Sequence, residues 1–334
     1  MKKIMNIKTF AELAGVSTAT VSRVFAHDPK VRPQTAEQVL MLAKKHGFRP
    51  NLIAQTPFSG KTRSIGVLLW RLSNSFFADI ALGIQQALLP EGYLPIIIST
   101  RTEADCTVLQ HLVDHRVDGL IACLKNLPLS KEELQEIENF NLPLVTIEHY
   151  QNSISCDTLQ PDNEACGRIA AQYFLAHGHH SLGVLCGDYK ESLRSKAFQA
   201  ELKRRGVSLP ESAVLLKSSP EAICRFLKQN PDLTGIYCVN DLEARKLYDA
   251  CAELHLSVPE DLSIIGTNDL DFADCLTPKL TTIRTDGIEL GRHAGIMILQ
   301  RLQNREKPFC NITTGVRLVE RNSVAKRSRQ HETT

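Results

Sequence analysis

From Ile65 to about residue 320, short apolar runs alternate with amphipathic stretches, and this alternation restricts the fold more than any other feature of the chain. The first runs are SIGVLLW, LPIIIS, DGLIACL and PLVTIE, and a second set contains LGVLCG, GIYCV and LSIIG. Such runs are typical of parallel strands buried on both faces. The stretch 77–89 between two of them puts apolar residues on one helical face: Phe77, Ile80, Ala81, Ile84 and Leu88. The pattern predicts two α/β lobes, each with a doubly wound parallel sheet.

Residues 1–50 show a different pattern, of three short helices that share one small core. The helical periodicity places Leu13 of the first helix and Leu40 of the third in that core. Asn6 is placed to cap the first helix, and Gly15 with Val16 forms a tight turn before Ser17, which caps the second. Pro33 suits the first turn of a third helix that ends near Gly47. The spacing predicts an all-α helix-turn-helix domain ahead of the α/β lobes.

The charge of the chain is divided unevenly between these parts. Residues 1–63 hold eleven Lys or Arg against three acidic residues, whereas the remainder holds 28 basic and 34 acidic residues. A basic head on a mildly acidic body favours a polyanionic partner, although a charged face is often merely solvated. The second helix also presents Thr18, Ala19, Ser22 and Arg23 outward. Small residues let a helix enter the major groove, and Arg can bind guanine through two hydrogen bonds, so we prefer a DNA-binding role to an ordinary helical hairpin.

The stretch IKTFAELAGVSTATVSRVFAHDPKVRPQTAEQVLMLAKKHGFRPN resembles the headpiece of the lactose repressor and galactose repressor family of transcriptional regulators. The shared pattern runs from A-x-x-A-G-V-S-x-x-T-V-S-R-V to G-[FY]-x-P-N. The resemblance implies that Thr18 and Ala19 read bases, and that Ser17, Thr20, Ser22 and Arg23 support base or phosphate contacts. Arg32 stands where the family usually has a helix-capping Ser. The substitution removes the cap but leaves a group that can meet a phosphate.

Residues 51–64 join the two parts and include SGKTRS, the ending of a phosphate-binding loop. Such a loop needs an earlier Gly where this chain has Gln55, and a strand before it, whereas the strand here comes afterwards. We therefore interpret GKT as part of a linker. In the family, N-x-x-A-x-x-L here forms a hinge helix whose Leu enters the minor groove. By that resemblance Asn51, Ala54, Gln55 and Pro57 contact DNA, with Pro57 in the Leu position as an apolar wedge that shortens the helix.

The resemblance continues through the body, more loosely, and part of it is shared with periplasmic sugar-binding proteins. It implies three crossings between lobes, near residues 158, 285 and 315. The expected first lobe is 65–157 with 286–314, the second is 158–285 with 315–323, and a tail covers 324–334. The family implies a homodimer on a near-palindromic operator in double-stranded DNA. The tail has no leucine heptads, so the helical tetramerisation segment of the lactose repressor is not expected.

A ligand between such lobes is expected at the carboxyl ends of the strands. The resemblance implies that the effector, a small sugar or sugar derivative, meets residues from both lobes: Arg71, Phe76, Glu148, Arg194, Asn240, Asp241 and Asn268. Glu148 and Asn268 replace the family's usual Asp, and Arg71 replaces a residue that is often acidic. Arg71 can bind an anionic sugar through two hydrogen bonds or can point into solvent, and both readings stay open.

Two other classes of protein compete with this interpretation. A sugar-binding receptor without DNA function disagrees with the basic head, and no apolar run reaches the ~18 residues that span a bilayer, so we expect a cytoplasmic protein. An α/β enzyme would need a phosphate loop or a catalytic motif, and neither is found. We expect no cofactor and no metal, because Cys106, His111 and His115 have helical spacing but no evident fourth ligand. Whether the effector weakens or strengthens DNA binding stays open.

Overall fold

A computed structural model describes residues 5–25, 28–48, 62–100, 107–123, 135, 137, 139–148, 155–187 and 192–327. The chain divides into two compact units, Met1–Arg63 and Ser64–Thr334. The fold class expected from the sequence is confirmed: an N-terminal helical unit precedes two lobes with parallel α/β sheets.

The described residues of the first unit form three helices, α1 (Ile7–Ala14), α2 (Thr18–Phe25) and α3 (Pro33–His46). The expected caps are present. Asn6 Oδ1 accepts a hydrogen bond from the Thr9 amide at 2.9 Å, and Gly15 and Gly47 end α1 and α3 in the left-handed conformation with φ of 64° each. These signals were readable in the sequence because caps depend only on neighbouring residues.

The core of the first unit differs from the expected one in two positions. Phe10 is buried and stacks on Phe48 with ring centroids 3.9 Å apart, and further buried residues come from all three helices: Ala11, Val21, Val24, Val39 and Ala43. Leu13 and Leu40, which the helical periodicity places in the core, are 47% and 39% exposed. Phe48 follows α3 and occupies the centre of the core, which the periodicity of the helices alone does not predict.

The first lobe of the second unit is built on a six-stranded parallel sheet in the order β11-β5-β4-β3-β1-β2. Its strands are β1 (Ser64–Trp70), β2 (Leu94–Thr100), β3 (Gly119–Cys123), β4 (Leu144–Ile147), β5 (Asp157–Pro161) and β11 (Asn311–Thr314). Its helices include α4 (Ser75–Leu88), α5 (Thr107–Asp114) and α10 (Gly287–Gln303). The apolar faces of α4 and α10 share one core cluster with the strands.

The second lobe has a six-stranded sheet in the order β12-β10-β9-β8-β6-β7, in which only the pairing of β12 with β10 is antiparallel. Its strands are β6 (Leu182–Gly187), β7 (Val214–Leu216), β8 (Gly235–Cys238), β9 (Ser263–Asn268), β10 (Thr281–Arg284) and β12 (Arg317–Val319). Its helices are α6 (Asn163–Ala176), α7 (Leu193–Arg204), α8 (Pro220–Gln229) and α9 (Asp241–Glu253).

The sheets fix where the chain passes from one lobe to the other. The crossings follow Pro161, Arg284 and Thr314, the last residues of β5, β10 and β11. The first comes later than residue 158, because β5 pairs with β4 and β11 in the first sheet. The expected tail also begins too early, since the Ala325 amide donates to Ser263 Oγ and the Arg327 amide to the His177 carbonyl of the second lobe.

Within the ranges given above, no helix combines the length and apolar character that crossing a bilayer requires.

Candidate functional site

Helix α2 presents a small, polar outer face in the first unit. Its opposite face buries Val21 and Val24 in the core, which leaves Thr18 and Ala19 exposed and Ser22 half-buried. Ser17 Oγ accepts a hydrogen bond from the Thr20 amide at 3.0 Å and lies 2.9 Å from Thr20 Oγ1. Since the cap fixes the start of α2, these short side chains project from a rigid helical end.

Two arginines of this unit are available for contacts with an anion. The side chain of Arg23 is 61% exposed, and its Nε lies 3.9 Å from Asp28 Oδ2, which is too far for a hydrogen bond. Arg32 is exposed and is the N-cap residue of α3, but its side chain makes no capping hydrogen bond. This loss of the cap is expected from the replacement of the family's usual Ser by Arg. The hinge residues Asn51, Ala54, Gln55 and Pro57 lie outside the described residues, so their roles stay predictions.

The second unit contains a buried polar cluster where strands of both lobes end. We call it the Arg194 network, and its members are Glu148, Asn163, Arg194, Asn268, Thr285 and the carbonyl of Val239. Glu148 follows β4 of the first lobe, whereas Arg194 lies at the start of α7 and Asn268 ends β9 of the second lobe. The network therefore occupies the edge of the sheets where α/β proteins bind ligands.

Arg194 is the centre of this network. Its Nε donates to Asn163 Oδ1 at 2.7 Å, and its Nη1 donates to the Val239 carbonyl at 2.8 Å and to Asn268 Oδ1 at 3.0 Å. Its Nη2 lies 3.8 Å from Glu148 Oε1, so the ion pair joins the two lobes. Thr285 Oγ1 donates to the same Asn268 oxygen at 2.9 Å. Three of the seven residues expected at the effector site, Glu148, Arg194 and Asn268, are thus brought together.

The backbone at the network is unusual, and the charges are buried. Glu148 and Asn268 have φ of 54° and 113°, and a non-glycine residue in that region costs on the order of 1–3 kcal/mol, a cost often found at functional sites. Both side chains of the Arg194–Glu148 pair are more than nine-tenths buried. The same environment raises the pKa of the neighbouring Cys166 thiol to about 11, because burial disfavours the thiolate.

Asn240 and Asp241 were expected to contact the effector, and the structure assigns both side chains internal hydrogen bonds. Asn240 Oδ1 caps α9 by accepting from the Glu243 amide at 3.0 Å. Asp241 is fully buried, with Oδ1 accepting from Thr282 Oγ1 at 2.6 Å and Oδ2 from the Leu270 amide at 2.8 Å. Burial raises the pKa of Asp241 to about 6. Both carboxylate oxygens of Asp241 thus bond within the lobe and its side chain is closed to solvent, and its effector contact stays a prediction.

Phe76 and Arg71 lie on the first lobe and do not join the network. Phe76 is buried in the first-lobe core and meets Phe77 edge to face, with centroids 5.5 Å apart. Arg71 is exposed, and its Cζ lies 5.4 Å from the centroid of the Trp70 ring.

Sequence reasoning missed three members of the network. Asn163 and Thr285 follow β5 and β10, and Val239 contributes a main-chain oxygen after β8. The only signal was position, since each comes one or two residues after a strand that ends at the same edge. β5 and β10 were not predicted, because DTLQP and TTIR are mostly polar, with one Leu and one Ile respectively, and form no apolar run.

Comparisons with known proteins give separate matches for the two units. Residues 6–51 match the family described as bacterial regulatory proteins, lacI family, and residues 171–324 match a periplasmic binding protein-like domain. The HTH-type transcriptional repressor PurR of Photobacterium profundum is 28% identical over 328 residues, which cover 95% of this chain and 98% of the relative. The PurR of Vibrio vulnificus is 27% identical over 332 residues, or 96% and 98% of the two chains.

Solved structures agree on the fold. The lac repressor dimer bound to operator and the anti-inducer ONPF superposes with a TM-score of 0.84 at 25% identity, covering 97% of this chain and 100% of the other. A LacI family transcriptional regulator from Enterococcus faecium with bound ribose gives 0.71 at 25% identity, covering 79% of this chain and 100% of the other. The similarity extends over both units in the first case.

Proposed function

Because the chain belongs to the lacI family of bacterial regulatory proteins, we propose that it represses transcription under the control of a small sugar or sugar derivative held between its lobes. Membership makes it a DNA-binding transcriptional regulator with an effector-binding domain, in a family of non-enzymes. The proposal adds the class of effector, a homodimer on a near-palindromic operator, and action in the cytoplasm.

The observation that carries the effector proposal is the Arg194 network. It combines guanidinium and amide donors with carboxylate and carbonyl acceptors, and each sugar hydroxyl both donates and accepts. The guanidinium of Arg194 already faces the Glu148 carboxylate at 3.8 Å, and Asn268 is neutral. The charges are therefore nearly balanced, and a neutral polyol suits this balance better than an anion does. We assign direct effector contacts to Glu148, Arg194 and Asn268, and we place Phe76 and Asn240 at the edge of the same binding site.

Arg71 separates neutral from anionic effectors. If its exposed guanidinium binds a phosphate, Arg71→Ala will weaken the binding of phosphorylated sugars and leave the affinity for neutral sugars unchanged. We propose a neutral effector, so calorimetry on the variant and the wild type is expected to give equal affinities for neutral sugars and no binding of the phosphorylated forms. Tighter binding of a phosphorylated sugar that depends on Arg71 would replace the neutral effector by an anionic one.

For DNA we assign base contacts to Thr18, Ala19 and Arg23 on the exposed face of α2. Ser17, Thr20 and Ser22 support them, and Arg32 meets a phosphate. The hinge contacts of Asn51, Ala54, Gln55 and Pro57 complete this proposal on the basis of the family resemblance alone. Selection of duplexes from a random pool tests the assignment, and the expected result is a near-palindrome with two half-sites.

The effector is tested on the selected duplex. Operator affinity is measured by fluorescence anisotropy with and without D-ribose, D-xylose, D-glucose, D-galactose, D-fructose and cellobiose, using hypoxanthine and guanine as comparisons without a sugar ring. We expect one or more sugars to change operator affinity and to raise the melting temperature of the protein. A response to a nucleobase and to no sugar would reject the sugar effector.

A further inference from the structure

Asn163 lies where the chain first passes from one lobe to the other. It is the first residue of α6, two positions after the last residue of β5, and it is 3% exposed. The preceding Asp162 supplies the helix cap by accepting from the Ala165 amide at 2.8 Å. The side-chain amide of Asn163 is thus not required to cap the helix and is available for other hydrogen bonds.

The orientation of this amide follows from its partner. Arg194 Nε can only donate, so the atom that it meets at 2.7 Å must be the oxygen of Asn163. The NH₂ group, Nδ2, consequently points away from Nε. Nδ2 is buried and has no hydrogen-bond partner among the described residues.

A buried amide donor without an acceptor is rare in folded proteins, because it loses its hydrogen bonds to water and gains none in return. Here the amide belongs to the Arg194 network, beside the guanidinium that also faces Glu148 of the other lobe. The surroundings are those in which the proposed effector binds. An acceptor on the effector would satisfy Nδ2.

We propose that Asn163 is an effector-binding residue whose Nδ2 donates a hydrogen bond to an oxygen of the bound sugar. This inference rests on the proposed function, since it names a donor within the same site. Oδ1 of the residue holds Arg194 and Nδ2 holds the ligand, so the two halves of one side chain have separate tasks. These tasks can be separated by mutation.

Asn163→Asp separates them, because Asp keeps an oxygen for Arg194 Nε and replaces the donor by a second acceptor. Asn163→Ala removes both groups. If Asn163 only positions Arg194, the Asp variant will bind the sugar as tightly as the wild type does, and the Ala variant will bind it weakly. If Nδ2 contacts the sugar, both variants will bind it weakly.

Asn230→Asp is the matched control for the loss of an asparagine NH₂ group. Asn230 Nδ2 donates to the carbonyls of Ser212 and Phe226, so its role is structural. We expect this variant to melt at a lower temperature than the wild type and to bind sugars with unchanged affinity.

The probes are the six sugars named above, titrated calorimetrically into the full chain after each variant has shown a cooperative melting transition. We expect the sugar that binds the wild type to bind Asn163→Asp and Asn163→Ala about tenfold more weakly or worse, which corresponds to at least about 1.4 kcal/mol. Affinity of Asn163→Asp within about twofold of the wild type overturns the role of Nδ2 and leaves the sugar effector intact. Failure of the wild type to bind any of the six rejects the sugar effector itself, and the inference falls with it.

Discussion

Arg194 places a full positive charge inside the protein, and its partners explain how the fold tolerates it. Burying an ion is unfavourable unless it is paired and its donors are satisfied. Two neutral amides, one main-chain carbonyl and the Glu148 carboxylate surround the guanidinium. Lys at this position would offer a point charge without the planar fork that reaches Asn163 and Asn268 at once. The shape of the guanidinium, as much as its charge, therefore organises the site.

Arg23 provides a residue-scale prediction for the DNA-contacting face. Arg23→Gln keeps the helical preference of the residue but shortens the side chain and removes its charge and its bidentate contact with guanine. We expect the standard free energy of operator binding to weaken by about 1–3 kcal/mol, with less discrimination at one base pair. Anisotropy titrations at several salt concentrations measure both effects.

The control for this experiment is Arg205→Gln, which removes an arginine, 45% exposed, at the C-cap of α7 in the second unit. It is expected to leave operator affinity unchanged. Equal affinity of wild type and Arg23→Gln at every salt concentration would show that α2 does not read DNA through Arg23.

Asp241 gives a prediction about pH dependence. Burial raises its pKa to about 6 from an ordinary value of 3.8. The folded state therefore binds more protons than the unfolded state between these values. The stability contributed by protonated Asp241 is complete below pH 3.8 and is lost as the pH rises through about 6. The loss amounts to about 3 kcal/mol, because each pKa unit corresponds to ~1.4 kcal/mol.

Asp241→Asn should remove this dependence. The Asn oxygen can accept from the Leu270 amide and its NH₂ can donate to Thr282 Oγ1, so the internal bonds are kept. Urea denaturation at a series of pH values between 4 and 7 is expected to show a smaller decline in unfolding free energy for the variant than for the wild type. Parallel curves for the two proteins would mean that Asp241 does not titrate in this range.

At the scale of elements, close helix packing brings the network together. α6 and α7 approach so closely at Gly167 that a Cβ there would lie 2.2 Å from the Arg194 carbonyl oxygen and 2.5 Å from the Phe198 amide nitrogen. Asn163 begins α6 and Arg194 lies in the first turn of α7. The short distance between their side chains thus depends on a residue without a side chain one turn away.

Gly167→Ala is predicted to damage stability and binding together. The methyl group would meet backbone atoms that cannot rotate away, so α7 must shift, at a cost of about 1–3 kcal/mol in unfolding free energy. The shift moves Arg194 relative to Asn163 and weakens sugar binding. Denaturation and calorimetry on the same preparation measure both changes.

Gly315→Ala is the control for Gly167→Ala, since a Cβ at Gly315 meets nothing within 4 Å and its φ is not in the left-handed region. It should be nearly neutral in both measurements. If Gly167→Ala is equally neutral, the two helices have room that their close approach does not suggest.

The elements also mark the limit of what the sequence predicts. The strands predicted as apolar runs were found, because burial on both faces of a parallel sheet requires such runs. β5 and β11 were missed, because DTLQP and NITT are mostly polar and their pairing joins distant parts of the chain. For the site, the family pattern supplied Arg194, Glu148 and Asn268. It could not reveal that Asp241 turns inward while Asn163 turns toward Arg194, because packing of whole elements decides these directions.

The described residues of the second unit include two kinds of contact between the lobes. Leu270 of the second lobe belongs to the first-lobe core cluster, and Leu242 and Phe272 pack against it. The polar contact is the Glu148–Arg194 pair. Two residues of the network, Asn163 and Thr285, lie within two positions of the ends of strands at which the chain crosses between lobes. A ligand that changes the network therefore acts where the lobes are connected.

The last prediction concerns linkage between the two binding functions. If a sugar changes operator affinity by some factor, the operator must change sugar affinity by the same factor, because both describe one thermodynamic cycle. The coupling free energy between two such binding sites is typically about 1–3 kcal/mol, which corresponds to a roughly 5–150-fold change in affinity.

The experiment titrates the sugar into the protein alone, into the protein with saturating operator duplex, and into the protein with a scrambled duplex of the same length. The scrambled duplex should leave sugar affinity unchanged, and the operator should change it by the factor found in the reverse experiment. Sugar affinity that is unaffected by operator would mean that the lobes and the helical unit bind independently, and control of transcription by this ligand would then be ruled out.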